Sequence, residues 1–324
     1  MKNPRLGCST CPACGETRHT PDETLGIWAW EGICAGFNRC TRCLSSYSNT
    51  EFTADQIAKW YSERFPYVYY SDPIHYLNAT NRIKFLVKRQ WLPEADHVVL
   101  DIGCAAGLFL GALKQQVPAA SYAGVEFLPE VAAKFSGKLG FPIVTINEIG
   151  ANTADMVFMW HVLEHSLEPQ VQLSAALRLC KSGARLAIAC PNRHALGFTK
   201  RGAQWVWCQA PWIHCVHFTA NGLAELLRRN GLSDFAFYYR ETVDAFHMGF
   251  LNRPDWYPVR GGRLQPTEER PLEASETRYA SPLHSCRFWH HGNSLRRIAI
   301  GTALSQIITP RHERSELICL VQVP

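Results

Sequence analysis

Apolar positions along the chain follow two alternating rhythms. Runs such as Val98–Leu100, Met156–Met159 and Leu186–Cys190 are apolar at consecutive positions, the pattern of strands buried on both faces. Between them apolar residues return at helical spacing: Ile57, Trp60 and Tyr61, then Leu110, Leu113 and Val117, then Leu223, Leu226 and Leu227. The pattern predicts a helix over 53–64, opened by a Thr53/Gln56 capping box, and a second over 74–92. Strands are predicted at 98–100, 121–126, 141–145, 155–160, 185–190, 234–240 and 316–323. Helices fall between them, one starting at Pro129, one over 171–180 closed near Ser182-Gly183, and one capped by Thr219 and stopped at Asn230-Gly231. Strand–helix alternation of this kind predicts an α/β fold with a doubly wound sheet.

The stretch between the last two strands, 242–315, exceeds what this alternation needs, and a structureless loop of some 75 residues is foreign to a compact domain. It is Pro- and Arg-rich to about Pro282, and a helix is predicted over 294–308, apolar nearly all round with Arg296 and Arg297 at its start. Burial, as a substrate lid, or a partner contact suits it better than a membrane surface.

Composition narrows the class. Of 324 residues 47% are apolar and 19% charged, as in ordinary globular proteins, and the net charge of +5 is spread without a basic run, so nucleic acid is not the expected partner. Met1-Lys2-Asn3-Pro4 leads into cysteines and not into an apolar signal core, and no stretch approaches the ~20 apolar residues of a membrane span. A cytoplasmic location is expected. There, thirteen cysteines are expected as thiols or metal ligands instead of disulfides.

Six of them lie within the first 43 residues. Cys11-Pro12-Ala13-Cys14-Gly15 and Cys40-Thr41-Arg42-Cys43 form two C-x-x-C knuckles flanking a predicted strand at 27–30. Each knuckle offers two thiolates from one tight turn, enough for one edge of a zinc tetrahedron. Cys11, Cys14, Cys40 and Cys43 are therefore the expected ligands of a structural zinc, with Cys8 and Cys34 as rivals for a place in the set.

Val98 to Leu110 carries the cofactor signal. A buried strand ends in Asp101-Ile102-Gly103-Cys104-Ala105-Ala106-Gly107 and passes into a helix, so glycines bring backbone close to a ligand at a helix start. The dinucleotide spacing of glycines at i, i+2 and i+5 fails at Ala105 and Leu108. The pattern D-x-G-x-A-x-G resembles motif I of the class I S-adenosylmethionine (SAM) dependent methyltransferases, departing from it at Ala105. Glu126 ends the next strand 25 positions on, and 154–165 resembles the family's motif IV, a strand running into L-E-H. The H-x-x-H-F-T segment at 214–219 resembles a further family signature. With the N-terminal knuckles and the tyrosines of 67–70, the chain is similar to a group that includes sugar C-methyltransferases and enzymes of surface-polysaccharide and secondary-metabolite pathways.

The resemblance implies a seven-stranded Rossmann-like methyltransferase sheet with an antiparallel last strand, divided as zinc ribbon 1–50, helical and aromatic linker 51–95, SAM-binding core 96–241, insertion 242–315 and last strand 316–324. It implies SAM contacts from Asp101, Gly103, Cys104, Gly107 and Trp160, with Glu126 on the ribose. For the chemistry, His161 and His165 are the candidate bases, since a hydroxyl or carbon-acid acceptor must lose a proton near pH 7. His161, Glu164 and His165 would share one face of a helical turn, which suits a base with its orienting carboxylate, a divalent metal, or simple packing of the loop. Some quinone O-methyltransferases carry E-x-x-E-H at this position for metal; here His161 replaces the first acid. His214 and His217 are rival bases. The expected function is methyl transfer to oxygen or carbon of a small-molecule or glycan acceptor, such as a nucleotide sugar, and a homo-oligomer is compatible with the sequence. The alternative is a non-catalytic SAM-fold protein that binds a partner through ribbon and insertion.

Overall fold

The computed structural model describes residues 9–30, 33–64, 73–205, 207–242, 259–260, 263–264, 306 and 309–324. Its N-terminal part is a small sheet of β1 (His19–Pro21), β4 (Phe37–Cys40) and β5 (Ser46–Ser48), with a separate hairpin of β2 (Trp28–Trp30) and β3 (Ile33–Ala35). Helices α1 (Ala54–Arg64) and α2 (Pro73–Lys88) follow. The Thr53/Gln56 capping box forms as expected: the Gln56 amide donates to Thr53 Oγ1 at 3.2 Å and Thr53 N–H to Gln56 Oε1 at 2.9 Å. α2 stops at Lys88, four residues before the predicted end at 92, because Gln90 takes a positive φ of 56°.

The larger sheet has seven strands: β6 (Val98–Ile102), β7 (Ser121–Val125), β8 (Ile143–Val144), β9 (Ala154–Trp160), β10 (Cys180–Pro191), β12 (Phe235–Arg240) and β15 (Glu316–Gln322). Their spatial order is β12-β15-β10-β9-β6-β7-β8. Pairs from β10 to β8 are parallel, while β15 lies antiparallel to both β10 and β12. Helices α3 (Leu108–Gln116), α4 (Pro129–Phe135), α5 (Pro169–Leu179), α6 (Leu196–Arg201) and α7 (Ala220–Arg229) connect the strands. Two buried clusters, one on each face, hold the sheet: Leu100, Val157, Ile188 and Leu317 belong to one, Val99, Phe158, Ala187 and Ile318 to the other. Alternate residues of one strand thus face opposite layers, which is why the strands read as unbroken apolar runs.

Two expectations shift in detail. Helix α5 ends at Leu179, and the chain enters β10 at Cys180, so that Ser182-Gly183 lies in a strand with a register irregularity instead of closing a helix. The two-residue strand β11 (Val216–His217), not among the predicted strands, pairs antiparallel with Tyr47 and Ser46 of β5. The N-terminal sheet is thereby completed by a strand from the second half of the chain. Arg193 fastens the same junction, its Nε donating to Ser46 Oγ at 2.8 Å and Nη2 to the buried Asp22 carboxylate at 2.7 Å. A short hairpin, β13 (Val259–Arg260) with β14 (Arg263–Leu264), is described within the insertion; the predicted helix over 294–308 lies outside the described residues apart from Gln306.

Candidate active site at the carboxyl edge of the sheet

Strand β6 delivers Asp101 and Ile102 to the edge, and the chain turns through Gly103 at φ +70° and Ala105 at φ +51° before Gly107, at φ +76°, opens α3. A side chain at residue 103 would stand 2.6 Å from Val162 Cγ2, so glycine is required there both by backbone angle and by space. Ala105 adopts the left-handed region despite its Cβ, at a cost of roughly 1 kcal/mol. The turn is pinned from inside: Gly103 and Cys104 N–H both donate to Val125 O, and Ala105 N–H donates to Glu126 Oε2 at 2.9 Å. Cys104 lays its buried sulfur over Gly124, where a Cβ would lie 2.5 Å from Sγ.

Glu126, at the end of β7, also accepts from Phe127 N–H at 2.8 Å and Leu128 N–H at 3.3 Å. Burial pushes its carboxyl up, and these backbone donors hold it back. Asp101 is different. It is buried, its Oδ1 has no hydrogen-bond partner, and burial pushes its pKa up to about 8 against the pull of the Arg82 guanidinium, with Glu126 adding to the rise. Trp160, at the end of β9, stacks on Phe158 at 5.7 Å with Arg82 5.1 Å above its ring.

His161 follows Trp160 at φ +58° and is bound on both sides: Nδ1 meets Glu164 Oε1 at 3.0 Å and Nε2 meets Glu316 Oε1 at 2.9 Å. Two carboxylates facing the two ring nitrogens favour the doubly protonated ring. Burial alone would lower its pKa, but the two glutamates overcome it and raise it. Glu316, pushed up by burial, is brought down to about 2 by Arg240 and His161 together. Arg240 Nε donates to Glu316 Oε2 at 2.7 Å. His161, expected as a candidate base, is thus held between two carboxylates. Glu316 and Arg240 were not singled out from the sequence.

His165 donates Nδ1–H to Ile213 O at 2.8 Å and His214 donates Nδ1–H to Trp207 O at 3.0 Å. Burial lowers both pKa values, that of His214 strongly, so both rings are neutral. His217 lies between Phe37 and Phe198, at 4.9 and 5.0 Å, with neither ring nitrogen hydrogen-bonded, and burial lowers it to about 3.

In the N-terminal part Cys11, Cys14, Cys40 and Cys43 are all buried and their sulfurs lie within 4.8 Å of one another. Cys11 and Cys43 sulfurs are 3.6 Å apart, Cys14 and Cys40 3.5 Å. A zinc tetrahedron of thiolates has edges of about 3.8 Å. Gly15 at φ +75° and the Cys43 N–H to Cys40 Sγ contact at 3.4 Å shape the two knuckles. Hydrogen bonding by Cys11 holds Cys43 down at about 5, whereas burial pushes Cys14 up to about 12. Cys34 is exposed and stands outside the group, and Cys8 lies outside the described residues.

Residues 74–235, half of the chain, match the family model of the methyltransferase domain. The chain belongs to this family. It is 30% identical over 146 residues to a ubiquinone biosynthesis O-methyltransferase of Xylella fastidiosa (strain M23), covering 41% of this chain and 57% of that protein. A ubiquinone biosynthesis O-methyltransferase of Hahella chejuensis is 28% identical over 151 residues, 43% of this chain and 61% of that one. The chain thus spans only about three fifths of the curated relatives it matches. Among solved structures, a phosphoethanolamine N-methyltransferase 2 of Haemonchus contortus with S-adenosylhomocysteine bound superposes with a TM-score of 0.52 at 11% identity, over 92% of this chain and 71% of that chain. At that identity the likeness shows the fold alone. Among the described residues no helix is long and apolar enough to cross a membrane.

Proposed function

We propose that this methyltransferase-family chain uses SAM to methylate an oxygen or carbon of a small-molecule acceptor, glycan precursors included. The observation that carries the reading is Asp101: a buried carboxyl with an unpartnered oxygen beside a glycine turn has spare capacity only a ligand can use, and the ammonium of a methionine moiety supplies the matching donor. Gly103, Cys104 and Gly107 shape the wall along that ligand, and Trp160 offers an aromatic face beside it. Glu126 uses about three of its four lone-pair positions on backbone N–H groups and keeps one for a ribose hydroxyl. When bound, SAM supplies both methyl and leaving group, so the protein's task is to align acceptor, methyl and sulfur and to exclude water.

His161 acts in this reading as a positioning residue: its charge joins the post-β9 turn to β15 through Glu316 and keeps the turn against the sheet edge. The rings of His165 and His214, whose pKa values burial lowers, are the candidate bases in this reading. The four thiolates of the ribbon would hold a structural zinc, with no position left for catalysis. The O-methyltransferase names of the relatives favour a hydroxyl acceptor. Incubation of the purified chain with methyl-labelled SAM and panels of catechols, quinols and nucleotide sugars is expected to release S-adenosylhomocysteine with one acceptor class. Absence of SAM binding by titration calorimetry would overturn the reading, and SAM binding with no transfer to any acceptor would favour the non-catalytic alternative.

A further inference from the structure

The two cysteine knuckles are docked on a helix from the second half of the chain. Gly222, in the first turn of α7, lies against both of them: a Cβ there would collide with Ser45 Oγ and stand 3.4 Å from Ala13 Cβ, inside the first knuckle. The fully buried Thr219 caps α7 by accepting from Gly222 N–H at 3.0 Å and spends its own hydroxyl proton on Cys43 O at 2.6 Å. Its N–H donates to Ser45 Oγ at 3.1 Å. At the other end of α7 Arg229 donates to Ala13 O at 3.3 Å, and Arg42, inside the second knuckle, pairs with Glu225 at 2.6 Å. A second line of contacts runs from the same sheet to the candidate site. β11 pairs with Tyr47 and Ser46 of β5, and Ser48 N–H donates to Cys215 O at 2.9 Å. Burial pushes the Cys215 thiol up to about 12, so it stays an S–H donor, and it donates to His165 O at 3.4 Å. His165 Nδ1 meets Ile213 O at 2.8 Å. Segment 213–219 is therefore gripped by the N-terminal sheet on one side and holds His165 by backbone and ring on the other.

We infer that the four-cysteine group, with its metal bound, is the clamp for α7 and segment 213–219, and that it fixes the place of His165 through Cys215. A self-contained ribbon would use metal only to hold its own knuckles. Here one backbone carbonyl of each knuckle, Ala13 O and Cys43 O, accepts from a side chain at an end of α7, so the turn shapes that four thiolates impose are the shapes on which α7 is seated. With the knuckles opened, the Thr219 hydroxyl loses its acceptor and the cap of α7 loses its support. The coupling runs both ways by thermodynamic necessity: the factor by which metal favours the docked α7 is the factor by which the docked α7 favours metal. Both α7 and segment 213–219 lie within the residues that match the methyltransferase family model. Only the role of His165 as a base rests on the proposed function; the clamp does not.

That reciprocity supplies the test. Full-length protein loaded with Zn2+ is compared with the same protein stripped by a chelator under reducing conditions. On stripping, amide hydrogen exchange is expected to quicken at least about tenfold in residues 213–229 as well as in 9–48, to stay unchanged in β6 and β7, and to recover when Zn2+ is returned. Gly222→Ala, which wedges α7 away without touching a cysteine, should weaken Zn2+ binding at least about tenfold in competition with a chromophoric chelator. Should that variant fail to fold, Thr219→Ala and Thr219→Ser decide: alanine is expected to weaken Zn2+ binding, and serine, which keeps the hydroxyl, to restore it. The reach to His165 is read from its ring Cε1–H NMR signal, assigned with His165→Gln, which should move on stripping while that of His97 stays. Faster exchange confined to 9–48, Zn2+ affinity untouched by Gly222→Ala in folded protein, or no uptake of Zn2+ overturns the clamp, and a His165 signal that stays in place overturns its reach to the site. SAM calorimetry on the same samples keeps the two readings apart. Linked exchange without SAM binding would count against the methyltransferase reading and leave the clamp standing, and SAM binding with unlinked exchange would do the reverse.

Discussion

Two acidic clusters sit at the carboxyl edge of one sheet and are built on opposite terms. At the end of β6 Asp101 is buried with an oxygen left over, and its carboxyl is held largely protonated near neutral pH. At the end of β9 the chain His161–Glu316–Arg240 pairs each charge it buries, and Glu316 stays ionised to about pH 2. A carboxyl oxygen left without a partner marks where a ligand belongs; paired charges mark what holds the edge in shape. Glu164 belongs to both classes, with one oxygen on His161 and the other spare.

The largest effect should come from breaking the paired cluster. Glu316→Ala leaves Arg240 and His161 as buried charges without their shared anion, and loss of one partner from such a group costs about 3–5 kcal/mol. Equilibrium urea unfolding should show this as a lower midpoint with an unchanged slope. A loss below about 1 kcal/mol would mean that the cluster is not the clasp described above.

Asp101 should behave in the opposite sense. Asp101→Asn is expected to weaken SAM binding by about 1–3 kcal/mol, a five- to 150-fold rise in Kd, with little loss of stability at pH 7. Calorimetry read beside a thermal melt checks both halves. The pH dependence sharpens the contrast. A carboxyl raised from about 3.9 when unfolded to about 8 when folded binds more protons in the native state between those values, so its contribution to stability falls as pH rises through that window. Glu316, lowered to about 2, contributes stability that is present above its unfolded value of about 4.3 and lost as pH falls toward 2. Asp101→Asn should therefore flatten the stability profile between pH 5 and 8 and leave the acid limb alone. Wild-type SAM binding at pH 7 should release a proton from Asp101, seen as a dependence of binding enthalpy on buffer ionisation heat; no such dependence would place the cation elsewhere.

The smallest expected effect is at Ala105. Replacing it by glycine removes a left-handed alanine but loosens the unfolded chain, terms of about 1 kcal/mol and 0.4–1 kcal/mol with opposite signs. Ala105→Gly should stabilise by no more than about 0.5 kcal/mol and leave SAM affinity unchanged; a large gain in affinity would show that the methyl group had been narrowing the cleft.

The sequence carried the sheet well because each core strand is an uninterrupted apolar run bounded by turn residues, and it carried Asp101 and Glu126 because each terminates such a run. It did not carry the partner of His161. Glu316 is 155 positions away at the start of another strand, and no local spacing records a contact made only when β15 slides in beside β10. Nor could it show β11, whose two residues lack any periodicity.

The pairing of Val216 with Tyr47 has a consequence in time. Some 170 residues separate the partners, and a ribosome adding about 5–20 residues each second needs roughly 10–30 s to deliver the second after the first. For that interval the N-terminal module would have emerged with the outer edge of β5 uncovered, its backbone donors and acceptors open to any passing strand. A metal ion drawn in by the two knuckles could act during that wait as a provisional chaperone, keeping the nascent sheet in register until its last strand arrives from the far half of the chain.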